Sequence, residues 1–499
     1  MRWNIICGGP AGQGPNFLAN LITQGLIEKG FFVFTAREYE SRIRGGHNYN
    51  TITFSDEELY SNSDEVDLLV ALDELSEINH KKEMKKSSFV VKSGKSNAYD
   101  AGASFKVLGI EIEILDTLLK KMANYEENFA EAKKGYEEEK RVMKLPAMKK
   151  AKDIYLMNGN EGVEKGAEES GLDFYYAYPM TPATGVLFEL VKNENKDKKY
   201  ITVQLEGEVA VINAAIGGAA TGAKTMIGTS GGGFDLMTEG LSLAGGAGIP
   251  LVIYMAQRVG PATGSATHVS QGDLNIARHS GHGEFPRIVV SPGDPKESIE
   301  KTSELFYLTQ KYQLPGIVLS DKHVADSFYT LNEKAKITKS KNSVKWPARF
   351  SSYETDSNKI TDASSENIIK SVNSRIEKFE KLSGEVEGLE SYKVYGKANS
   401  KNIVIGWGGT KGAIIDSIRG LDCKFIQVLY LEPFSSKIKK EIEKGKNIIL
   451  VECNASAQLG SLIAEKTGIL IENKNKILKY DGRPFLFENL RNEIKRRLK

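Results

Sequence analysis

Tyr178–Thr184 (YPMTPAT), Gln204–Glu208 (QLEGE), Thr229–Phe234 (TSGGGF) and Gln257–Gly264 (QRVGPATG) lie within ninety residues of one another, and each reads as a strand end or loop. Around them Ile201–Leu205, Pro250–Ala256, Arg287–Val290 and Gly316–Leu319 are short apolar strand candidates. Helices are expected between them, notably over Val209–Thr225 and Pro295–Tyr312. Alternation of short apolar runs with helices predicts a parallel sheet. The uncharged run Gly240–Gln257 is broken by Gly245, Gly246, Gly248 and Pro250, so it reads as a loop and a buried strand, not a membrane span.

Working outward, the chain opens with a strand at Trp3–Cys7, a glycine-rich turn at Gly8–Gly14, a helix at Phe17–Lys29 and a strand at Phe31–Thr35, a βαβ beginning. Further strands are expected at Leu68–Leu72 and Ser88–Lys92, then a long exposed helix from Ile114 to Lys149. Residues 331–395 read as a connector with one helix at Glu366–Leu382. A last α/β segment carries strands at Asn402–Gly406, Phe425–Tyr430 and Ile448–Glu452. The fold class is α/β, in three α/β domains with mainly parallel sheets. The expected boundaries are 1–150, 151–330, a connector at 331–395, and 396–499.

The 499 residues carry 67 basic and 65 acidic side chains, a net charge of +2 that gives no global argument for binding nucleic acid or an anionic membrane. The N-terminal MRWNIICGGPAGQG is not a signal peptide, and the expected location is cytoplasmic. Three scattered cysteines, Cys7, Cys423 and Cys453, form no CxxC pair and are too few for the four thiolates of one 4Fe–4S cluster.

Individual residues carry chemistry of different kinds. Pro179 and Pro182 stiffen the backbone around Thr181, whose hydroxyl can orient a polar ligand, although a proline-bounded strand exit has the same appearance. Glu206 and Glu208 both precede a helix of small residues. Either can be a cap favoured by the helix dipole or a desolvated acid, and the residues alone leave them tied. Arg258 follows a fully apolar strand, where α/β proteins bind ligands and a guanidinium suits a carboxylate. His268, His279 and His282, with Asp273 and Glu284, lack metal-ligand spacing, and no metal site is expected. Gly9–Gly14 is spaced GxxGxG, with Glu38 after the second strand; this is not the dinucleotide fingerprint, and no NAD is assigned.

The ordered series resembles the alpha subunit of 2-oxoacid:ferredoxin oxidoreductases with a gamma domain fused at its N-terminus. It includes Asn158–Glu161, YPMTPAT, TSGGGF, QRVGPATG, HGEFPR at 282–287, Gly409–Gly412 and YDGRPF at 480–485. The Gly8–Gly14 turn and the Tyr39–Gly46 loop with Arg44 are similar to those of the gamma domain. The chain departs from the family at Gly207, Gly232 and Val259, which leave the chemical groups intact. The resemblance implies CoA-dependent oxidative decarboxylation of a 2-oxoacid on thiamine diphosphate, with electrons passing to ferredoxin. It implies that Glu208 contacts the aminopyrimidine, that Thr181 lies near cofactor and substrate, and that Arg258 and Thr267 recognise the 2-oxoacid. It implies a transketolase-like C-terminal domain. It also implies a beta subunit that carries the diphosphate grip, Mg2+ and the 4Fe–4S cluster. The alternatives are a nucleotide-binding or electron-transfer scaffold, and a non-redox transketolase-like thiamine enzyme; the GDG…N motif of the latter is absent from the sequence.

Overall fold

The computed structural model describes all residues except 41–44, 94–95, 149–153, 195–198, 343–352 and 499. The chain divides into two compact units. One comprises Met1–Met157 with Ser327–Glu333 and Leu486–Leu490; the other comprises Asn158–Asp326, Lys334–Phe485 and Arg491–Lys499.

In the first unit β1 (Arg2–Ala11), α1 (Pro15–Glu28), β2 (Phe32–Glu38), β3 (Gly45–Ser55), β4 (Val66–Ala71), α2 (Glu74–His80) and β5 (Met84–Lys92) are followed by three helices. These are α3 (Asn97–Val107), α4 (Ile112–Leu119) and α5 (Tyr125–Glu138). With β6 (Tyr155–Asn158) and β13 (Phe328–Leu331), the strands form one sheet in the order β5-β4-β1-β3-β2-β13-β6. The βαβ beginning is split, because β3 lies between β1 and β2 and is antiparallel to both. Gly45 and Gly46, expected at the end of the Tyr39–Gly46 loop, instead start β3, whose first residues pair with Gly9 and Ala11 of β1. For the same reason β1 runs four residues beyond Cys7. Arg44 lies outside the described residues. The long exposed helix is instead two helices, and α5 is packed: a Cβ on Gly102 would stand 1.9 Å from the Ala132 carbonyl oxygen, and one on Gly135 2.1 Å from that of Tyr99.

In the second unit α6 (Gly159–Glu169), β7 (Phe174–Ala177), α7 (Thr184–Glu194), β8 (Ile201–Gln204), α8 (Glu208–Ala220), β9 (Thr225–Thr229), α9 (Gly231–Leu236), α10 (Thr238–Ala247), β10 (Leu251–Gln257), α11 (Leu274–His279), β11 (Ile288–Val290), α12 (Pro295–Tyr312), β12 (Pro315–Asp321) and α13 (Lys322–Asp326) build a parallel sheet. The expected helix over Val209–Thr225 ends at Ala220, and Thr225 begins β9. The expected loop of the 240–257 run is the C-terminal part of α10. After α14 (Ser365–Val386) come β14 (Tyr392–Gly396), β15 (Asn402–Trp407), α15 (Thr410–Ile418), β16 (Lys424–Val428), β17 (Tyr430–Glu432), α16 (Ser436–Glu443), β18 (Asn447–Glu452), α17 (Gln458–Thr467), β19 (Lys476–Leu478) and α18 (Phe487–Arg497). The last sheet runs β14-β16-β15-β18-β19, parallel except for β14. β17 joins the neighbouring sheet, whose order is β17-β11-β12-β10-β9-β7-β8, as its one antiparallel edge. The architecture is thus α/β with three sheets, two of them mainly parallel and the first mixed. No described helix is long and apolar enough to cross a membrane.

The second and third sheets share one apolar core in which Ile317 and Leu319 join Ile405 and Trp407. A buried ionic cluster ties them further. Lys411 of α15 donates to Asp294, the N-cap of α12, and to Glu297 at 2.6 Å; Lys393 of β14 lies 3.1 Å from the same Glu297 oxygen, and Gln427 donates to the other at 2.6 Å. Burial works to raise the Glu297 carboxyl, but Lys411 and Lys393 bring it down to about 2. Replacing Lys411 by Met leaves two buried carboxylates short of a cation. We expect Lys411→Met to cost about 3–5 kcal/mol, read as a loss of denaturation midpoint; a change under about 0.5 kcal/mol would place the cluster in solvent.

Candidate functional site

The register of the parallel strands sets the site. Ala177 pairs with Gln204 on one side and Gly228 on the other, and Thr229 pairs with Met255. The segments leaving β7, β8, β9 and β10 therefore start at one level, on the carboxyl edge where such sheets bind ligands. YPMTPAT, QLEGE, TSGGGF and QRVGPATG are those segments.

Glu208 is the first residue of α8 and is 6% exposed, whereas Glu206 is exposed. Among the described residues nothing donates a hydrogen bond to the Glu208 carboxylate. The chain of α9 passes so close that a Cβ on Gly233 would stand 2.7 Å from Glu208 Oε1 and 2.3 Å from Thr229 Oγ1. TSGGGF is thus a strand end running into a helix, and its third glycine is demanded by space. Beside it the Ser230 hydroxyl is fully buried and has no partner among the described residues.

Thr181 is half-buried on a loop with a cis Thr181–Pro182 peptide. Arg258 Nη1 donates to the Thr181 carbonyl oxygen at 2.8 Å. The Asn160 amide donates to the Pro182 carbonyl at 3.1 Å and accepts from the Tyr254 hydroxyl at 2.8 Å. The arginine segment folds back on itself: Ser265 N donates to the Val259 carbonyl at 2.9 Å, and Gly264, at φ +54°, leaves no room for a Cβ. Gly232 faces the Ala262 carbonyl, so TSGGGF and QRVGPATG touch. Thr267 lies beyond this hairpin, with its hydroxyl 3.2 Å from His268 Nδ1; His268 packs on Gly482 of YDGRPF. The structure joins Thr181 to Arg258 directly. Glu208 and Thr267 reach them only through the intervening glycine segments.

Three residues have parts at this edge that the sequence alone does not assign. Asn160 holds the Thr181 loop, Ser230 is the N-cap of α9, and Asp273 sits against Gly231, where a Cβ would stand 2.5 Å from Oδ2. Burial and the charge of Asp235 push the Asp273 carboxyl up to about 6, partly opposed by Arg258. Burial lowers the pKa of Arg258, and Asp273 works against that. An aspartate fifteen residues from its arginine has no periodic signal in the sequence, and only the fold brings it to the glycine turn. His268, His279 and His282 do not converge, and among the described residues no three His, Cys, Asp or Glu side chains are grouped to hold a metal ion. In the first unit Glu38 is buried at the end of β2.

Residues 165–383 match the family model for the thiamine-diphosphate-binding part of pyruvate flavodoxin/ferredoxin oxidoreductase, and residues 4–222 match that for pyruvate ferredoxin/flavodoxin oxidoreductase. The alpha subunit of a Sulfolobus sp 2-oxoacid:ferredoxin oxidoreductase is 28% identical, the match covering 98% of this chain and 96% of the relative. A 2-oxoglutarate synthase subunit of Archaeoglobus fulgidus is 38% identical over 34% of this chain and 49% of its own length. Among solved structures, the 2-oxoglutarate:ferredoxin oxidoreductase of Magnetococcus marinus, described with 2-oxoglutarate, coenzyme A and succinyl-CoA bound, superposes with a TM-score of 0.87. It shares 25% identity and covers 100% of both chains.

Asp273 gives this edge a pH signature. Its folded pKa of about 6 lies above the roughly 3.9 of an unfolded aspartate. Its ionisation therefore costs stability above pH 6, and the cost fades as the pH falls toward 4. Asp273→Asn should raise the melting temperature at pH 8, with the gain shrinking by pH 5. A difference independent of pH would contradict this assignment.

Proposed function

We infer from membership of the 2-oxoacid:ferredoxin oxidoreductases, to whose alpha subunits this chain is homologous over nearly its whole length, that the second sheet carries the pyrimidine half of a thiamine diphosphate site and receives the 2-oxoacid there. The reaction is CoA-dependent oxidative decarboxylation to an acyl-CoA and carbon dioxide, with ferredoxin as electron acceptor. One observation carries the placement: a buried carboxylate without a donor among the described residues, Glu208, faces a glycine that leaves no Cβ against its oxygen. That arrangement fits an aminopyrimidine ring.

Thiamine diphosphate, when bound, supplies the nucleophilic carbon and the electron sink that decarboxylation of a 2-oxoacid requires. This chain's residues do the rest of the half-site's work. Glu208, at the amino end of α8, holds a proton at the pyrimidine ring nitrogen. Arg258 spends one N–H on the Thr181 carbonyl and turns its remaining donors to the substrate carboxylate. That bond and the Asn160 bridge fix the Thr181 hydroxyl at the pocket wall, while Thr267 donates from the far end of the arginine hairpin.

The same reading assigns the diphosphate grip, its Mg2+ and the 4Fe–4S cluster to a beta subunit, since three buried cysteines cannot ligate such a cluster. It divides the chain into a gamma-like segment at 1–150, the pyrimidine-binding segment at 151–330, the connector at 331–395 and a transketolase-like segment at 396–499. In the assembled enzyme, Glu208→Gln should lower 2-oxoacid-dependent viologen reduction by about a hundredfold or more, with the melting temperature unchanged. Unchanged turnover would reject the assignment of Glu208.

A further inference from the structure

A second site lies at the opposite edge of the same sheet. Arg287 immediately precedes β11, whose first residue, Ile288, pairs with Gly316 near the start of β12. The run of β10 from Leu251 to Gln257 separates that level from the carboxyl edge by roughly 20 Å. Here a cavity of about 570 Å³ opens between Arg287 and α14, within the range of small-molecule sites.

The arginines around this cavity are not equivalent. Arg278 is saturated by Glu432 at 3.1 Å and by both oxygens of Glu465 at 3.0 and 2.9 Å. Arg287 is only 6% exposed, yet its guanidinium donates one hydrogen bond, to Ser280 Oγ at 3.1 Å, and among the described residues no carboxylate lies within ion-pair reach. Its other face lies 4.2 Å from the ring centroid of Phe285, which is itself wedged against Gly245. Glu432 attracts Arg287 only from beyond ion-pair distance, and burial still brings its guanidinium down to about 10; a bound anion offsets that cost. From α14, Arg375 pairs with Glu354 at 2.8 Å and leaves a buried Nε without an acceptor among the described residues. Phe379 and Val372 supply apolar wall, while Glu284 and Glu380 are exposed at the cavity and disfavour a polyanion.

We propose that this cavity binds a small organic monoanion, an amphipathic carboxylate whose head pairs with Arg287 and whose aliphatic or aromatic body lies against Phe285, Phe379 and Val372. The site is separate from the one that receives the 2-oxoacid and does not depend on that reading. Titration of the full chain with phenylacetate, followed by calorimetry and saturation-transfer NMR, tests it. Saturable binding is expected, weakened at least tenfold by Arg287→Met. Ile376→Trp fills the cavity from a half-exposed position and should weaken it equally, so the test survives if Arg287→Met fails to fold. Arg258→Met should bind as the parent does, and phenyl phosphate should bind more weakly than phenylacetate. Absence of saturable binding would overturn the proposal. So would unchanged affinity in both cavity variants, a loss confined to Arg258→Met, or tighter binding of phenyl phosphate.

Discussion

Parallel pairing of β7, β8, β9 and β10 is the constraint on which the site depends. Because Ala177, Gln204, Gly228 and Tyr254 stand in register, four separate segments leave the sheet at nearly one height. None of their side chains could meet otherwise. A strand slipped by one residue would turn its exit segment to the other face. Within that frame the glycines set distance. Gly233 lets α9 approach Glu208, and Gly264 closes the arginine hairpin.

The carboxyl edge is braced from behind by polar contacts that apolar packing alone would not orient. Asp321, at the end of β12, accepts from Gly409 N at 2.7 Å, and Gln271 bridges the Trp407 carbonyl and Cys453 N. Together with the Lys411 cluster, these contacts fix the third sheet against the second at one orientation. Buried ion pairs of this kind add little net stability, but they penalise any other alignment. The YDGRPF turn reaches the site in this way, with Gly482 under His268 and bonded to Val269.

Much of this was legible in the sequence. Strong apolar runs marked β8, β10, β11, β12, β15, β16 and β18, and the proline start of α12 was read to the residue. What escaped had weak local signals. β9 (TMIGT) is too short to separate from the small-residue helix before it. β3 begins with two glycines and owes its strand state to partners on both sides. Residue type alone leaves Glu206 and Glu208 tied; the family resemblance favours Glu208, and burial separates the two. Asp273 and Asn160 carry their meaning only through contacts across long sequence separations, which no window of residues contains.

The central claim is that this chain supplies one half of a divided active site. The direct measurement is carbon dioxide release from 2-oxoacids, with thiamine diphosphate, Mg2+ and coenzyme A present, by the purified chain alone and after addition of its copurifying iron–sulfur partner. The account expects no turnover from the chain alone and turnover on assembly. Full turnover by the isolated chain would contradict it.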